Sequence, residues 1–445
     1  MTKVTIKLRR KVDNYYVTAH RTQLCAGKLF RRYKDMRKTL LLALAATLML
    51  AACAAPPSGT PAQTQSSATT PQASTSSQSP APVSSQTPET DTSTKPDTEL
   101  TADQTPTPSM PLKVDVFWYT FADTYLSSVR NAMEQQLASL PTINATQHDC
   151  QEDQARQTEM VASAIAQGSR LIVVNLVTTG SEEAAMNIVN LAKSADIPII
   201  FFNREISDAV VNSYDKCVFV GTDADEAGYK QGEAVAEFLL SGSNLSKYDL
   251  DGDGEIKYIL FRGEHGCAES FGRYLFSVRN ANELLAGNAK LVPSHANETS
   301  NLYNDDGISN YFLYGNWSAA NATELMRTAL TAFSLTDGSI ELILAGNDDM
   351  AIGAIEAMNE VGFNTGAAGA GYIPVFGVDA TPVACEAITA GRMTATVLQD
   401  GPGMAECIIA FALNIASGGD VKDPLDDYPT DSGVDKIRIP FVIIR

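Results

Sequence analysis

Histidine, long apolar runs and, after the first 52 residues, basic residues are scarce in this 445-residue chain. Their scarcity argues against zinc sites, membrane spans and nucleic-acid binding. There are only four His, and neither these nor the seven Cys show zinc-site spacing. The apolar run from Leu40 to Leu50 is too short to cross a membrane. Basic residues are few after residue 52, where 21 Lys and Arg stand against 50 Asp and Glu. An acidic chain of this kind repels nucleic acid and anionic lipid, so we expect no nucleic-acid partner.

The amino-terminal apolar run has the surroundings of a signal peptide. Arg37 and Lys38 precede it, and small residues end it. Its last residues, Leu-Ala-Ala-Cys at 50–53, resemble the lipobox of bacterial lipoproteins, which implies lipidation of Cys53 and an extracytoplasmic membrane anchor. Residues 36–52 are therefore predicted to be a lipoprotein signal peptide. Residues 1–35 fit no secretion signal, so we expect them to be an upstream extension with translation starting at Met36.

The segment 53–110 consists mainly of Ser, Thr, Pro, Gln and Ala. Its few large apolar side chains bury too little surface to offset the entropy of an ordered chain. We therefore predict a disordered tether between the anchor at Cys53 and a folded body.

Alternating strand and helix patterns occur in two successive copies along the folded body. The length of 445 residues and the 44% hydrophobic content of the whole chain allow two domains. The first copy predicts strands near 114–119, 171–176, 197–202 and 218–222. The second predicts strands near 258–261, 342–345 and 373–378. Hairpin signals are absent, so the sheets should be parallel and covered by helices on both faces. We predict an α/β fold of two doubly wound lobes joined by a hinge, with residues divided as 111–222 plus 400–432 and 223–399 plus 433–445.

Polar residues follow several predicted strands directly. The apolar stretch 197–202 runs into Asn203, Arg204 and Glu205, and Asp123 follows the first strand. Ligands of parallel sheets bind at the carboxyl ends of the strands. Two facing lobes should therefore bring these side chains together in a cleft.

The order of several motifs resembles the type I periplasmic sugar-binding proteins, in particular their glucose/galactose-binding branch, which serves ABC importers. The resemblance covers Lys113 to the carboxyl terminus. It rests on Asn203 after two Phe, Val-Gly-Thr-Asp at 220–223, Val-Phe-Gly-Val-Asp at 375–379 and an Asp-x-Asp-x-Asp-Gly loop at 249–254. It implies the periplasmic binding protein type I fold and a sugar-binding role.

The same resemblance implies that polar groups of both lobes hold the sugar, with Tyr125 and Trp317 against its two faces. The implied contacts are Asp123, Tyr125, Asn203, Cys267, Glu269, Arg273, Trp317, Asn347, Asp379 and Gln399. Carboxylates, amides and a guanidinium suit sugar hydroxyls, and aromatic rings suit the apolar faces of a pyranose. Taken singly, the two aromatic residues are more typical of core packing, Arg273 is typical of a solvated helix charge, and Asn347 and Asp379 could be helix caps.

Three of these positions depart from the family's pattern. Cys267 stands where the family has His, Glu269 where it has Asp, and Gln399 where it has Asn. The longer Glu269 and Gln399 should shrink or re-aim the pocket, and a thiol is only a weak donor. We expect the sugar class to be retained, whereas the particular sugar is not determined.

The acidic loop resembles the family's calcium site. The implied ligands are Asp249, Asp251, Asp253, Glu255 through its backbone carbonyl, and Glu341. Calcium prefers such oxygen ligands, so it is the expected cofactor. Lys257 stands where the family has a ligating Gln, and an ammonium cannot ligate. Three alternatives remain open. Water could complete the calcium site in place of the missing ligand, the Lys257 ammonium could itself neutralise the acidic residues, or the loop could be an acidic turn without metal.

The leading functional prediction is a lipid-anchored monomer that captures glucose, galactose or a galactoside for the permease of an ABC importer, without catalysis. A sensory role toward a chemoreceptor or kinase is compatible with it. The enzymatic alternative is a sugar-processing enzyme that uses Asp123, Glu269 or Asp379 as acid and base. The ligand domain of a transcription repressor shares this fold, but the lipobox and the lack of a basic helix-turn-helix argue against it.

Overall fold

The computed structural model describes residues 110–300 and 312–445. The predicted signal peptide, the tether and Cys53 lie outside this range. Within it, no helix is sufficiently long and apolar to span a membrane.

The first lobe contains a six-stranded parallel sheet. Its strands are β1 (Leu112–Trp118), β2 (Ile143–Asp149), β3 (Leu171–Val174), β4 (Ile199–Phe202), β5 (Cys217–Gly221) and β12 (Lys436–Arg438). They lie in the order β12-β5-β4-β3-β1-β2. The helices between them are α1 (Thr124–Leu137), α2 (Gln154–Ala166), α3 (Glu182–Ser194) and α4 (Asp208–Val211). Strands β3 and β4 are buried throughout, because helices cover both faces of the sheet.

The second lobe repeats this architecture. Its strands are β6 (Glu255–Arg262), β7 (Lys290–Pro293), β8 (Leu313–Tyr314), β9 (Leu342–Ala345) and β10 (Val375–Phe376). They lie in the order β10-β9-β6-β7, with β8 also paired to β6. Its helices are α5 (Ala224–Leu240), α6 (Asn244–Tyr248), α7 (Ala268–Leu285), α8 (Ala319–Leu330), α9 (Asp348–Glu360) and α10 (Pro382–Thr389), together with a 3-10 helix at His295–Ser300.

Successive residues of the central strands enter different apolar clusters. Phe201 and Phe202 of β4 lie in two clusters of the first lobe. Leu260 and Phe261 of β6 do the same in the second. Side chains of a strand alternate between the two faces of a sheet, so each sheet is buried on both sides. This arrangement confirms the predicted α/β class.

The carboxyl-terminal segment connects the lobes. Helix α11 (Gly401–Ala416) packs against α1, and a 3-10 helix follows at Asp423–Asp427. Strand β12 then pairs with β5 of the first sheet. Strand β13 (Val442–Ile444) finally pairs antiparallel with β11 (Thr396–Leu398).

The expected return to the second lobe at residue 433 is wrong, because β12 lies in the first sheet. Its residues Lys436 and Arg438 are charged, so the segment lacks the apolar run that marks a buried strand. Both charges are satisfied by ion pairs with Glu205.

Candidate ligand-binding site

A cavity of about 640 Å³ lies between the two lobes at the carboxyl ends of their strands. Its volume is typical of sites for small molecules. Every sugar contact implied by the sequence lines it: Asp123, Tyr125, Asn203, Cys267, Glu269, Arg273, Trp317, Asn347, Asp379 and Gln399. The fold therefore brings together residues that are separated by up to 276 positions in the chain.

The guanidinium of Arg273, on helix α7, is buried and held in a fixed plane. Nη1 donates to the Gly346 carbonyl at 2.7 Å and to Asp379 Oδ1 at 3.3 Å. Nη2 donates to Gln399 Oε1 at 2.8 Å. The guanidinium carbon also lies 5.4 Å from the centre of the Trp317 ring. Such a pre-organised planar donor is well suited to hydroxyl groups.

Asp379 is almost fully buried beside Arg273. Burial raises the pKa of this carboxyl well above its ordinary value, and the charge of Arg273 opposes the rise. A ligand hydroxyl that donates to Asp379 would stabilise its ionised form.

The two aromatic residues line the cavity from opposite lobes. Tyr125 lies at the start of α1 and belongs to the core cluster of the first lobe. Trp317 has a positive φ of 63° and is half-buried in the second. Its ring lies directly on Gly263, where an added Cβ would be only 2.3 Å from ring atoms. Gly263 therefore permits the position of the ring.

Three polar cavity residues also organise the backbone around them. Asp123 caps α1 by accepting from Leu126 N–H at 2.7 Å. Asn347 caps α9 and donates to the Trp317 carbonyl at 3.1 Å. Asn203 adopts a positive φ of 63°, and its Oδ1 accepts from Asn175 at 3.2 Å. Capping and lining the cavity thus occur together at Asp123 and Asn347.

Several direct hydrogen bonds join the lobes around the cavity. Arg204 Nη2 donates to Glu264 Oε2 at 2.8 Å, Glu205 N–H donates to Glu269 Oε1 at 2.9 Å, and Thr124 Oγ1 donates to Asp349 Oδ2 at 2.7 Å. Each pair joins a first-lobe residue to a second-lobe residue. These bonds therefore hold the two lobes together beside the cavity.

Both carboxylate oxygens of Glu269 are engaged by the protein. Oε1 accepts from Glu205 N–H, and Oε2 accepts from the Cys267 thiol, with Sγ at 2.9 Å. Burial and the neighbouring Glu269 raise the pKa of Cys267, which keeps the thiol protonated as a donor. The two residues line the cavity and bond to each other, and Glu269 also joins the second lobe to the first.

Sequence reasoning missed several residues of this cavity. Tyr119 donates to Asp123 Oδ2 at 2.8 Å, and its ring lies 3.6 Å from the Arg204 guanidinium carbon. Glu264 follows strand β6 closely, so the strand-end rule that selected Arg204 could have found it. Glu205 was also selected by that rule, but its carboxylate pairs with β12 residues instead.

The acidic loop lies in the second lobe, before strand β6. Carboxylate oxygens of Asp249, Asp251 and Glu341 come within 4.8 Å of one another. Opposite ligands of a calcium ion are about 5 Å apart, so these three fit such an ion. Asp253 lies outside this group, and both Asp251 and Asp253 accept from Lys257 Nζ at 2.8 Å. Calcium binding stays a prediction.

This chain belongs to the periplasmic binding protein domain family, whose model matches residues 114–420. It is 29% identical over 332 residues to the D-galactose/methyl-galactoside binding periplasmic protein MglB of Haemophilus influenzae, covering 74% of this chain and 88% of the relative. It is 26% identical to a putative rhizopine-binding protein of Rhizobium meliloti, covering 73% of this chain and 87% of the relative.

Among solved structures, the fold matches an ABC transporter solute binding protein from Bacillus halodurans with bound myo-inositol. The TM-score is 0.56 at 24% identity, and the match covers 76% of this chain and 96% of the other. The likeness supports the predicted periplasmic binding protein type I fold.

Proposed function

We propose that this chain is an extracytoplasmic solute-binding protein that captures a monosaccharide between its lobes and delivers it to the permease of an ABC importer. The observation that carries the proposal is the arrangement of Arg273, buried between Asp379 and Gln399 beside the Trp317 ring. It combines donors and acceptors for hydroxyls with an apolar surface for a sugar ring. Glucose, galactose and galactosides are the proposed ligands, supported by the likeness to the galactose-binding relative.

Binding is proposed to occur without catalysis. Both oxygens of Asp123 already accept hydrogen bonds, from Leu126 and Tyr119. Both oxygens of Glu269 do so as well. A glycosidase needs one carboxyl group that gives its proton to the glycosidic oxygen and a second that acts as base or nucleophile. Carboxylates engaged in this way favour positioning over proton transfer.

The lipid anchor and the calcium ion belong to the same proposal. Cys53 would carry the lipid that holds the binding protein at the membrane. The protein is proposed to act there as a monomer. Calcium would be held by oxygen ligands of the acidic loop, with Asp249, Asp251 and Glu341 nearest to one another.

Closure of the lobes on the sugar tests the proposal. Hydrogen bonds between the lobes lie beside the cavity, so a sugar that contacts both lobes should favour the state in which these bonds are made. We expect saturating glucose or galactose to reduce the radius of gyration measured by small-angle X-ray scattering. Galactosides should be recovered intact after incubation. Identical scattering with and without every sugar, or hydrolysis of a galactoside, would contradict the proposal.

A further inference from the structure

The ammonium of Lys257 lies directly over the acidic loop. Lys257 is the third residue of β6, and its Nζ donates to Asp251 Oδ2 and Asp253 Oδ2, both at 2.8 Å. The two carboxylates come from positions six and four residues earlier in the chain. The Lys257 ammonium therefore forms ion pairs with two acidic groups of the loop.

The other two acids of the loop are satisfied by backbone groups. Asp249 accepts from the N–H groups of Asp253 and Gly254, both at 3.1 Å. Glu341 is fully buried and accepts from the N–H groups of Leu250 at 2.6 Å and Lys257 at 2.8 Å. All four carboxylates thus have donors within the protein, so their mutual repulsion is offset without an added ion.

A calcium ion would compete with this arrangement at one residue in particular. Asp251 belongs to the three carboxylates that fit calcium, and it also binds the Lys257 ammonium. A divalent ion that used Asp251 would place its two positive charges beside that ammonium. Like charges at such a distance repel, so calcium binding requires the ammonium to leave.

We propose that Lys257 is the built-in cation of this loop, so that the fold is stable without calcium and calcium binds only by displacing the ammonium. The inference deepens the calcium proposal and rests on it. It explains how an acidic loop of this kind tolerates Lys at a position where an oxygen ligand would otherwise complete the cage.

Calcium titrations of the full chain test this inference with two substitutions that separate competition from ligation. Lys257→Met removes the ammonium without adding an oxygen, whereas Lys257→Gln also adds a ligand. We expect calcium to bind at least about tenfold more tightly to Lys257→Met than to the unmodified protein, and more tightly still to Lys257→Gln. Lys216→Gln, which removes a single ion pair with Asp196 in the first lobe, is the control and should change nothing.

Thermal unfolding gives the second measurement. Chelation with EGTA should leave the Tm of the unmodified protein and of Lys216→Gln in place, but lower the Tm of Lys257→Gln until calcium is restored. Equal calcium affinities in all variants would overturn the competition and leave the calcium proposal standing. Absence of calcium binding in every variant would overturn both. If EGTA lowers the Tm of the unmodified protein, the proposal that Lys257 makes the fold stable without calcium is wrong.

Discussion

Replacement of Arg273 by Ala is expected to weaken sugar binding by about 1,000-fold or more. The substitution removes hydrogen bonds to Gly346, Asp379 and Gln399, and it leaves the Asp379 carboxylate buried without its cation. A hydrogen bond between a charged group and a sugar hydroxyl is worth about 1.5–3 kcal/mol, so the loss of two such bonds, about 4 kcal/mol, corresponds to that loss of affinity. Calorimetric titration with the preferred sugar measures the effect.

Two matched variants make this result interpretable. Arg279→Ala changes an exposed Arg on the same helix, where its only ion pair is with Glu283 at 3.6 Å among the described residues, and should leave affinity unchanged. Arg273→Lys keeps the charge but loses the planar fork, so it should bind at an intermediate level. Unchanged affinity in a folded Arg273→Ala protein would show that the guanidinium is not a ligand group.

Replacement of Trp317 by Ala is expected to reduce affinity by roughly 100-fold, equivalent to about 2.7 kcal/mol. The ring supplies the apolar wall of the second lobe, and its loss leaves the sugar face in contact with water. Trp317→Phe should restore most of the binding. The readout is the dissociation constant, measured together with the Tm to verify folding.

Gly263→Ala offers an independent way to remove the same wall. Its added Cβ would lie 2.3 Å from the Trp317 ring and must displace it, so affinity should fall as in Trp317→Ala. Tyr229→Ala, at an exposed aromatic residue of α5 outside the cavity, is the control and should bind normally. Normal binding by Trp317→Ala and Gly263→Ala would mean that the sugar does not stack on this ring.

The fold was predictable where strands are buried on both faces. The apolar stretch that forms β4 and the run that forms β9 needed no tertiary information, because short continuous apolar runs between helical patterns are typical of strands buried on both faces. Strand β2 was missed because it lies at the edge of its sheet and alternates partly exposed polar residues. Strand β12 was missed for a related reason: its two charged residues are neutralised by Glu205, Asp208 and Asp431, which come together only in the folded protein.

The site was predictable to the extent that it follows strand ends and ordered motifs. Asn203, Asn347 and Asp379 each come directly or closely after an apolar strand, and all line the cavity. Contacts between the lobes were not predictable. The Arg204 and Glu264 pair spans 60 residues, and the Thr124 and Asp349 pair spans 225, so no local pattern links them.

Calorimetric titration of the full chain with a panel of hexoses and galactosides tests the central claim most directly, with Arg273→Ala measured in parallel. The account predicts saturable binding of one sugar per chain with a micromolar Kd, or about −8 kcal/mol, for at least one member, and its loss in the variant. A folded protein that gives no binding heat with any hexose or galactoside would contradict the account.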